Sequence, residues 1–482
     1  MKIKIGEGKI RVEEFAELCG GVLCANFDAE EYGFSYVCTD SREADGDTLF
    51  VVIKGEKVDG HDYMLSAAQN GCKAFLCGRI PAELIESGLD FSAITSEDSV
   101  VALGTFVRAF HEFREKKTVA VTGSVGKTTT KEMIAAVLGA KFGVHKTLAN
   151  HNSTLGMPMS LLAMEPTSDV MVAEMGTDAH GQIAFMSQIA RPDIACITNI
   201  GSSHLEAFGT REAICQAKLE IAEGLSENGV LILNGDEPLL SSIHTEGVER
   251  LYVALENANA DYRAVNIRYG EEGTTFDLVR GGETLSDIRL SVLGKPYVWA
   301  ALFAIAAGER MGMSVEEIRA GLLDFQNAEM RQHITDMDGV TVIEDCYNAA
   351  PESMRAAADL LRVLAMQKGG ARTVALLGDM RELGERSAEY HAEVGRYFAS
   401  IGLDKLFCVG VLAKDIALGA LDGGMENHAV TICLDAEEHE KISETVSNML
   451  ADGDILLVKA SRAIGAEKIL ELIEKKRRGR ML

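Results

Sequence analysis

The ten cysteines of this chain include no pair at C-x-x-C spacing, so nothing in their arrangement reads as a zinc site or a redox dithiol. They are scattered (19, 24, 38, 72, 77, 196, 215, 346, 408 and 433), and Cys196 and Cys408 fall inside apolar, strand-like runs. Buried free thiols in a reducing compartment are expected, not disulfides. Long hydrophobic runs are missing as well. The longest, near residues 298–307, is too short to span a bilayer, and the first residues, Met-Lys-Ile-Lys-Ile-Gly-Glu, lack an apolar signal core. A cytoplasmic protein without membrane insertion is expected. Positive charge is scarce: 47 Lys and Arg stand against 73 Asp and Glu, a formal net charge of −26. Such a surface repels nucleic acid, so no nucleic-acid partner is expected, and an anionic substrate needs its own basic pocket. No low-complexity tract, long Pro/Gly linker or internal repeat is visible. What remains is a chain of 482 residues, 47% hydrophobic and 25% charged, long enough for about three domains joined by short hinges.

The richest segment is 118–132. A β-branched run ending at Thr122 breaks into Gly123-Ser124-Val125-Gly126, then enters Lys127-Thr128-Thr129-Thr130 and a stretch with helical spacing at Met133, Ile134, Val137 and Leu138. Strand, glycine turn and helix start occur in the order a phosphate-binding loop requires. Glycines let backbone N–H groups from Gly123 to Thr129 close around a phosphate chain, Lys127 supplies a point charge, and the Thr128 hydroxyl can ligate Mg²⁺. The longer eight-residue pattern wants glycine where Val121 stands, so only the shorter G-x-x-G-K-T form is present.

Around this loop an α/β protein of three units is expected. Residues 1–98 mix short strands (48–53, 74–77) with short helices and carry the polar stretch Thr39-Asp-Ser41-Arg42, which reads either as a ligand-lining edge or as ordinary turns around a strand. From 99 to 326, apolar strands at 118–122, 170–174, 194–199 and 230–234 alternate with helical sequence, the rhythm of a mostly parallel sheet. From 327 to 482 a second such α/β sheet is expected, with strands at 341–344, 373–377, 406–409 and 455–459. Parallel sheets take ligands at the carboxyl ends of their strands.

That rule singles out several residues. Glu174 ends a buried strand beside the phosphate loop, a common place for a metal-binding carboxylate. His204 follows Asn-Ile-Gly-Ser-Ser just past another strand, and its structural and catalytic readings stay open. Lys218 falls within the apolar helical stripe Ile214, Ala217, Ile221 and Leu225, where it must snorkel, lose its charge or be paired. A sharper alternative is a carbamate on its amine, which makes it an acidic metal ligand. Asn150 and Asn152 lie on a polar turn that either holds a ligand or caps the next helix. Arg331, just past the second boundary, is placed to reach a phosphate on domain closure or to lie on the surface. Asp345 and Asn348 end a strand of the third unit.

Taken together, Thr122-Gly-Ser-Val-Gly-Lys-Thr-Thr-Thr-Lys-Glu-Met133, Asn150-His-Asn-Ser-Thr-Leu-Gly-Met-Pro158, Ala173-Glu-Met-Gly176 and Thr198-Asn-Ile-Gly-Ser-Ser-His-Leu-Glu206 resemble the Mur ligases of bacterial cell-wall synthesis. Tyr347-Asn-Ala-Ala-Pro-Glu-Ser-Met-Arg355, Leu377-Gly-Asp-Met-Arg-Glu-Leu-Gly384 and Val458-Lys-Ala-Ser-Arg462 extend the resemblance to nearly the full length and point to the branch adding D-alanyl-D-alanine. The Asp-Asn-Pro-Arg quartet of the diaminopimelate- or lysine-adding branch is absent. The resemblance implies a small α/β N-terminal domain holding UDP-N-acetylmuramoyl-tripeptide, with Ser41 and Arg42 in the family's Asp-Ser-Arg block. It implies a central P-loop domain for MgATP and a Rossmann-like C-terminal domain for D-alanyl-D-alanine, in a monomer. By the same resemblance Lys127 and Thr128 meet the ATP phosphates and Mg²⁺, Glu174 one metal, and His204 with carbamylated Lys218 a second. Arg331 and Asp345 contact ATP from across the cleft, and Asn348 lies near the adenine. Asn150 and Asn152 are expected to touch substrate. The implied reaction is amide ligation through an acyl phosphate; another amide ligase of the superfamily, or a non-catalytic nucleotide-binding partner of cell-wall enzymes, is the alternative. Three departures mark this chain. Lys295-Pro-Tyr-Val-Trp-Ala300 replaces a His-Asn-x-x-Asn segment, Ser153 stands where Asn is common, and Ala350 replaces Asn before Pro351. Adenine-side contacts are therefore expected to differ.

Overall fold

The computed structural model describes every residue except 7, 56, 149, 244–246, 328–329 and 479–482. Three main sheets follow one another along the chain. The first runs in space Lys2–Lys4, Tyr36–Cys38, Thr48–Val51, Ala74–Cys77, Ser92–Thr95, Val22–Ala25, with a parallel interior and antiparallel edges. The strands expected at 48–53 and 74–77 are both there.

The central sheet has nine strands. The phosphate-loop strand, Lys117–Thr122, lies between Val170–Glu174 and Ile194–Ile197, all parallel. Register places Glu174 opposite Val121 and Ile197 opposite Thr122, so Glu174, Gly123 and Thr198 emerge at one end of the sheet. Beyond Val230–Asn234 the sheet continues through Glu249–Ala254 and Tyr262–Gly270, then turns antiparallel through Gly273–Arg280 and Glu283–Leu290. The sequence reading missed this antiparallel extension. Its strands alternate polar and apolar residues because one face is wet, and they lack the continuous apolar runs that marked the buried strands.

The third sheet orders His333–Met337, Val340–Asp345, Ile455–Lys459, Thr373–Gly378, Lys405–Val409, Val430–Cys433. All but the first pair are parallel. The strand near 341, expected to open this unit, is preceded by an antiparallel edge strand. The three-part α/β architecture is as expected. All ten cysteines are free, and Cys196 and Cys408 are buried in strands. Among the described residues, no helix is long and apolar enough to cross a membrane.

Helix Ser99–Arg114 welds the first sheet to the second. Phe106 stacks against Phe15 with ring centroids 4.4 Å apart, while Gly104, on another face, leaves no room for a side chain beside Phe185 and Ile189. Removing a ring from such a sealed position costs about 3–5 kcal/mol. One apolar core accordingly runs from Ile3 on the N-terminal sheet to Leu231 and Leu233 on the central one. On the opposite face, helix Lys127–Gly139 buries Met133, Ile134, Val137 and Leu138 beneath helix Lys295–Arg310, which is apolar almost all round. The phosphate loop is thus anchored at both ends by buried elements.

Candidate active site

The loop after Thr122 turns twice through glycines that no other residue replaces cheaply. Gly123 has φ +149°, and a Cβ there would lie 1.9 Å from Thr198 Oγ1; Gly126 has φ +81° and caps the helix. The neighbouring strand end braces the loop. Asn199 accepts the Ser124 N–H on its carbonyl at 3.1 Å and the Val125 N–H on Oδ1 at 3.0 Å, and Thr198 Oγ1 donates to the Val125 carbonyl at 2.6 Å. Lys127 Nζ bends back onto the carbonyls of Gly123 (2.8 Å) and Ser124 (3.2 Å). Burial lowers its pKa, Glu174 opposes the shift, and Arg331 reinforces it. The Ser124 hydroxyl is buried without a hydrogen-bond partner among the described residues.

Glu174 is buried at its strand end. Asn152 Nδ2 donates to its Oε1 at 2.8 Å, and Thr147 Oγ1 accepts its N–H at 3.0 Å. Among the described residues its Oε2 has no hydrogen-bond partner, although Lys131 Nζ stands 3.8 Å away. Lys131, 1% exposed, donates to the Thr147 carbonyl at 2.8 Å and pairs with Glu132 at 3.1 Å. A cation therefore supports Glu174 from below without occupying both its oxygens. The signal for Lys131 was legible: a lysine in the buried stripe of Ile134 and Leu138 is the same anomaly that marked Lys218.

Lys218 sits near the end of helix Arg211–Leu219, 2% exposed. Its amine makes no hydrogen bond or ion pair among the described residues. Burial pushes its pKa well down, and the charge of Lys127 pushes it further. At 2% exposure the side chain stays inside the fold and does not snorkel into bulk water. His204 adopts φ +63° at the start of the preceding short helix, Leu205–Phe208, and its Nδ1 lies 2.6 Å from Glu382 of the third sheet's loops. The hydrogen bond from His204 holds the Glu382 carboxyl below its ordinary value.

Across the gap stands the third sheet. Arg331 stacks on Tyr347 with its guanidinium carbon 4.2 Å from the ring centroid. Its carbonyl accepts from Tyr297 Oη at 3.3 Å and also from Asn327 Nδ2. The tyrosine that replaces an expected asparagine segment thus helps hold Arg331, and Trp299 and Phe303 line the adjoining wall. Asp345 is tied to buried Lys459 at 2.7 Å, and Lys459 also donates to the Asn348 carbonyl at 3.0 Å. Lys459 ends an apolar strand, as Glu174 does, and that position marks it in the sequence. Glu352, in the first turn of helix Pro351–Gln367, crosses to the central domain. Its Oε1 accepts from Ser202 N–H at 3.0 Å and Ser202 Oγ at 2.7 Å. Nothing local in the sequence announces a contact between residues 202 and 352.

These walls enclose a cavity of about 1280 Å³. Ser124, Val125, Gly126, Lys127, Thr128, Thr129, Asn150, Asn152, Glu174 and His204 line it from the central domain, and Arg331, Asp345 and Asn348 face them. Of the residues singled out in the sequence, Gly123 and Lys218 lie behind this lining, and Ser41 and Arg42 are not brought to it. Arg42 is 86% exposed and paired with Asp40, its Nε and Nη2 at 2.9 and 2.6 Å from the carboxylate oxygens. Among the described residues no group of three His, Cys, Asp or Glu side chains forms a ready cation cage.

Fold and site together define a P-loop nucleotide-binding protein whose cavity is closed by a second α/β sheet. The sequence matches the family models for the Mur ligase middle domain over residues 121–308, the Mur ligase glutamate ligase domain over 330–462, and the Mur ligase family catalytic domain over 34–111. It is 38% identical over 468 residues to the UDP-N-acetylmuramoyl-tripeptide–D-alanyl-D-alanine ligase of Bacillus subtilis (strain 168), covering 97% of this chain and 99% of that one. The enzyme of the same name from Escherichia coli (strain K12) is 31% identical over 462 residues, covering 94% and 96%. Among solved structures, MurF from Acinetobacter baumannii superposes with a TM-score of 0.87 at 28% identity over 98% of this chain and 100% of that one. MurF ligase from Thermotoga maritima in complex with ADP gives 0.81 at 29% identity over 92% and 98%. The chain belongs to the Mur ligase family.

Proposed function

We propose that this protein is an ATP-dependent ligase that joins D-alanyl-D-alanine to UDP-N-acetylmuramoyl-tripeptide in peptidoglycan precursor synthesis, forming ADP and phosphate. The observation that carries the proposal is one cavity in which a phosphate loop and a buried, half-satisfied Glu174 face Arg331 of a second sheet. The full-length similarity to ligases of that name supplies the substrate pair.

In the reaction, a carboxylate oxygen of the peptide attacks the γ-phosphorus of ATP. The bond to ADP breaks, and an acyl phosphate forms. The dipeptide amine then attacks the acyl carbon, the bond to phosphate breaks, and the amine loses a proton. Two anions must approach each other in the first step, so fixed positive charge aimed at the transferring group is the main catalytic resource. Lys127, released from its own loop carbonyls, reaches the phosphates from below, and Arg331 reaches them from the facing wall. Backbone N–H groups from Gly126 to Thr129 remain for the phosphate oxygens, since Asn199 already occupies those of Ser124 and Val125. Contact between the two walls excludes water, which hydrolyses an acyl phosphate.

The donors suit Mg²⁺. Thr128 and Glu174, with its orphaned Oε2, would hold one ion, and His204 with carbamylated Lys218 a second. The neutral amine is the form that takes up CO₂, and the depressed pKa of Lys218 supports it. When bound, such ions neutralise phosphate charge. In this scheme Asn150 holds substrate, Asn152 orients Glu174, and Asn348 lies by the base. Ser41 and Arg42 of the N-terminal domain, residues 1–98, hold the UDP-sugar outside the cavity described above. Residues 99–326 serve ATP and 327–482 the dipeptide. The protein works in the cytoplasm as a monomer.

The test is a product mass spectrum. Incubation with UDP-N-acetylmuramoyl-tripeptide, D-alanyl-D-alanine and MgATP should yield the pentapeptide product with one ADP and one phosphate per bond. Preference for a UDP-muramoyl dipeptide with meso-diaminopimelate would overturn the assignment.

A further inference from the structure

The third sheet delivers one carboxylate directly onto the reaction end of the central sheet. Glu382 follows strand Thr373–Gly378, and its Oε2 lies 2.6 Å from His204 Nδ1. A second bond joins the backbones, Glu206 N–H donating to the Glu382 carbonyl at 3.1 Å. Both partners hold left-handed backbone, φ +63° for His204 and +64° for Glu382. Non-glycine residues keep that conformation only where their surroundings demand it, and such sites gather where function needs them. Two residues on, Gly384 takes φ +62°, left-handed backbone that favours glycine, beside Glu206. The clasp is thus shaped on both sides.

Stability does not explain it. The two side chains are 32% and 58% exposed, and a pair so open to water adds little to folding. Both residues do line the cavity that Lys127 and Ser124 line. An ionised carboxylate can only accept, so a neutral His204 bonded to it carries its proton on Nδ1 and leaves a lone pair on Nε2. With Nδ1 occupied, Nε2 is the ring nitrogen left for a ligand.

We infer that Glu382 is a positioning residue that fixes the tautomer and ring orientation of His204, and does so only when the C-terminal domain is docked. Competence of the phosphate-binding side then depends on arrival of the other domain. The physical advantage is timing, because an acyl phosphate formed before the facing domain arrives is lost to water. The catalytic consequence rests on the proposed ligase reaction; the tautomer assignment does not.

Long-range ¹H–¹⁵N spectra of the full-length protein labelled with ¹⁵N-histidine test this, His204 being assigned from the signals lost in His204→Gln. The unmutated protein should show His204 as the Nδ1–H tautomer above pH 8. Glu382→Ala should lose that bias, while Glu382→Gln, whose amide oxygen still accepts, should keep it. In ligation assays Glu382→Ala should lower kcat about 10- to 100-fold, with the ATP KM within about threefold, and Glu382→Gln should recover most of the loss. An unchanged tautomer in Glu382→Ala, or an unchanged kcat, overturns the inference. Absence of any ligation product from the unmutated protein defeats the proposed function instead, and the spectra alone then decide the role of Glu382.

Discussion

The two walls of the cavity are built on different principles. The central wall is local. Gly123 to Lys131 form one continuous segment, and its supports, Glu174 and Asn199, come from the two strands hydrogen-bonded to it. The facing wall is assembled from Arg331, Asp345, Glu352, Glu382 and Lys459, drawn from five separate stretches of the third unit. Its grip on the first wall is a handful of polar contacts, Glu352 to Ser202 and Glu382 to His204 among them. A buried parallel sheet holds catalytic groups rigidly, whereas a polar interdomain seam can open and close. Chemistry placed on the first wall and gating placed on the second is the arrangement that follows.

If that division is correct, damage to the central wall should abolish chemistry, while damage to the seam should cost less, in kcat at Glu382 and in nucleotide KM at Glu352. The largest effect is expected from Lys127→Ala, which should lower the rate of ADP release by about a thousandfold with the circular dichroism spectrum unchanged. Residual turnover near the unmutated rate would place the chemistry elsewhere. Next in size is Lys218→Ala, expected to reduce turnover about a hundredfold, with partial recovery on adding acetate or formate as a substitute acid. Full activity without additive would remove the carbamate. The smallest effect is expected from Glu352→Gln. Hydrogen bonds to a charged acceptor are worth about 1.5–3 kcal/mol, and part of that is lost. The nucleotide KM should rise roughly tenfold while kcat changes less, measured by initial rates at saturating dipeptide. A kcat loss as large as that of Lys218→Ala would erase the distinction between the walls.

Much of the site was legible because a few residue patterns are physically restrictive. Glycines followed by Lys-Thr at a strand end permit little else, and a charged residue closing an apolar strand or interrupting an apolar stripe must have a purpose. By those two signals Glu174 and Lys218 stood out, and Lys131 and Lys459 would have by the same logic. The segment at Lys295 to Ala300 marked a departure, and the structure gives it a physical role in Tyr297, which steadies the Arg331 carbonyl. Ser41 and Arg42 mark how far such a motif reaches. Their polar stretch places a ligand edge within its own sheet and says nothing of its distance to the cavity, which is lined without them.

Spacing and composition alone dictated where the buried parallel strands fall, the phosphate loop, the buried thiols and the identity of most charged groups on the central wall. Each of these depends on neighbours within about a dozen residues or on the two-residue pleat of a strand. Tertiary structure alone decided that Glu352 meets Ser202, that Glu382 meets His204, and that Lys459 neutralises Asp345. Those contacts join residues more than 100 positions apart, where only the docking of one sheet on another sets the distance.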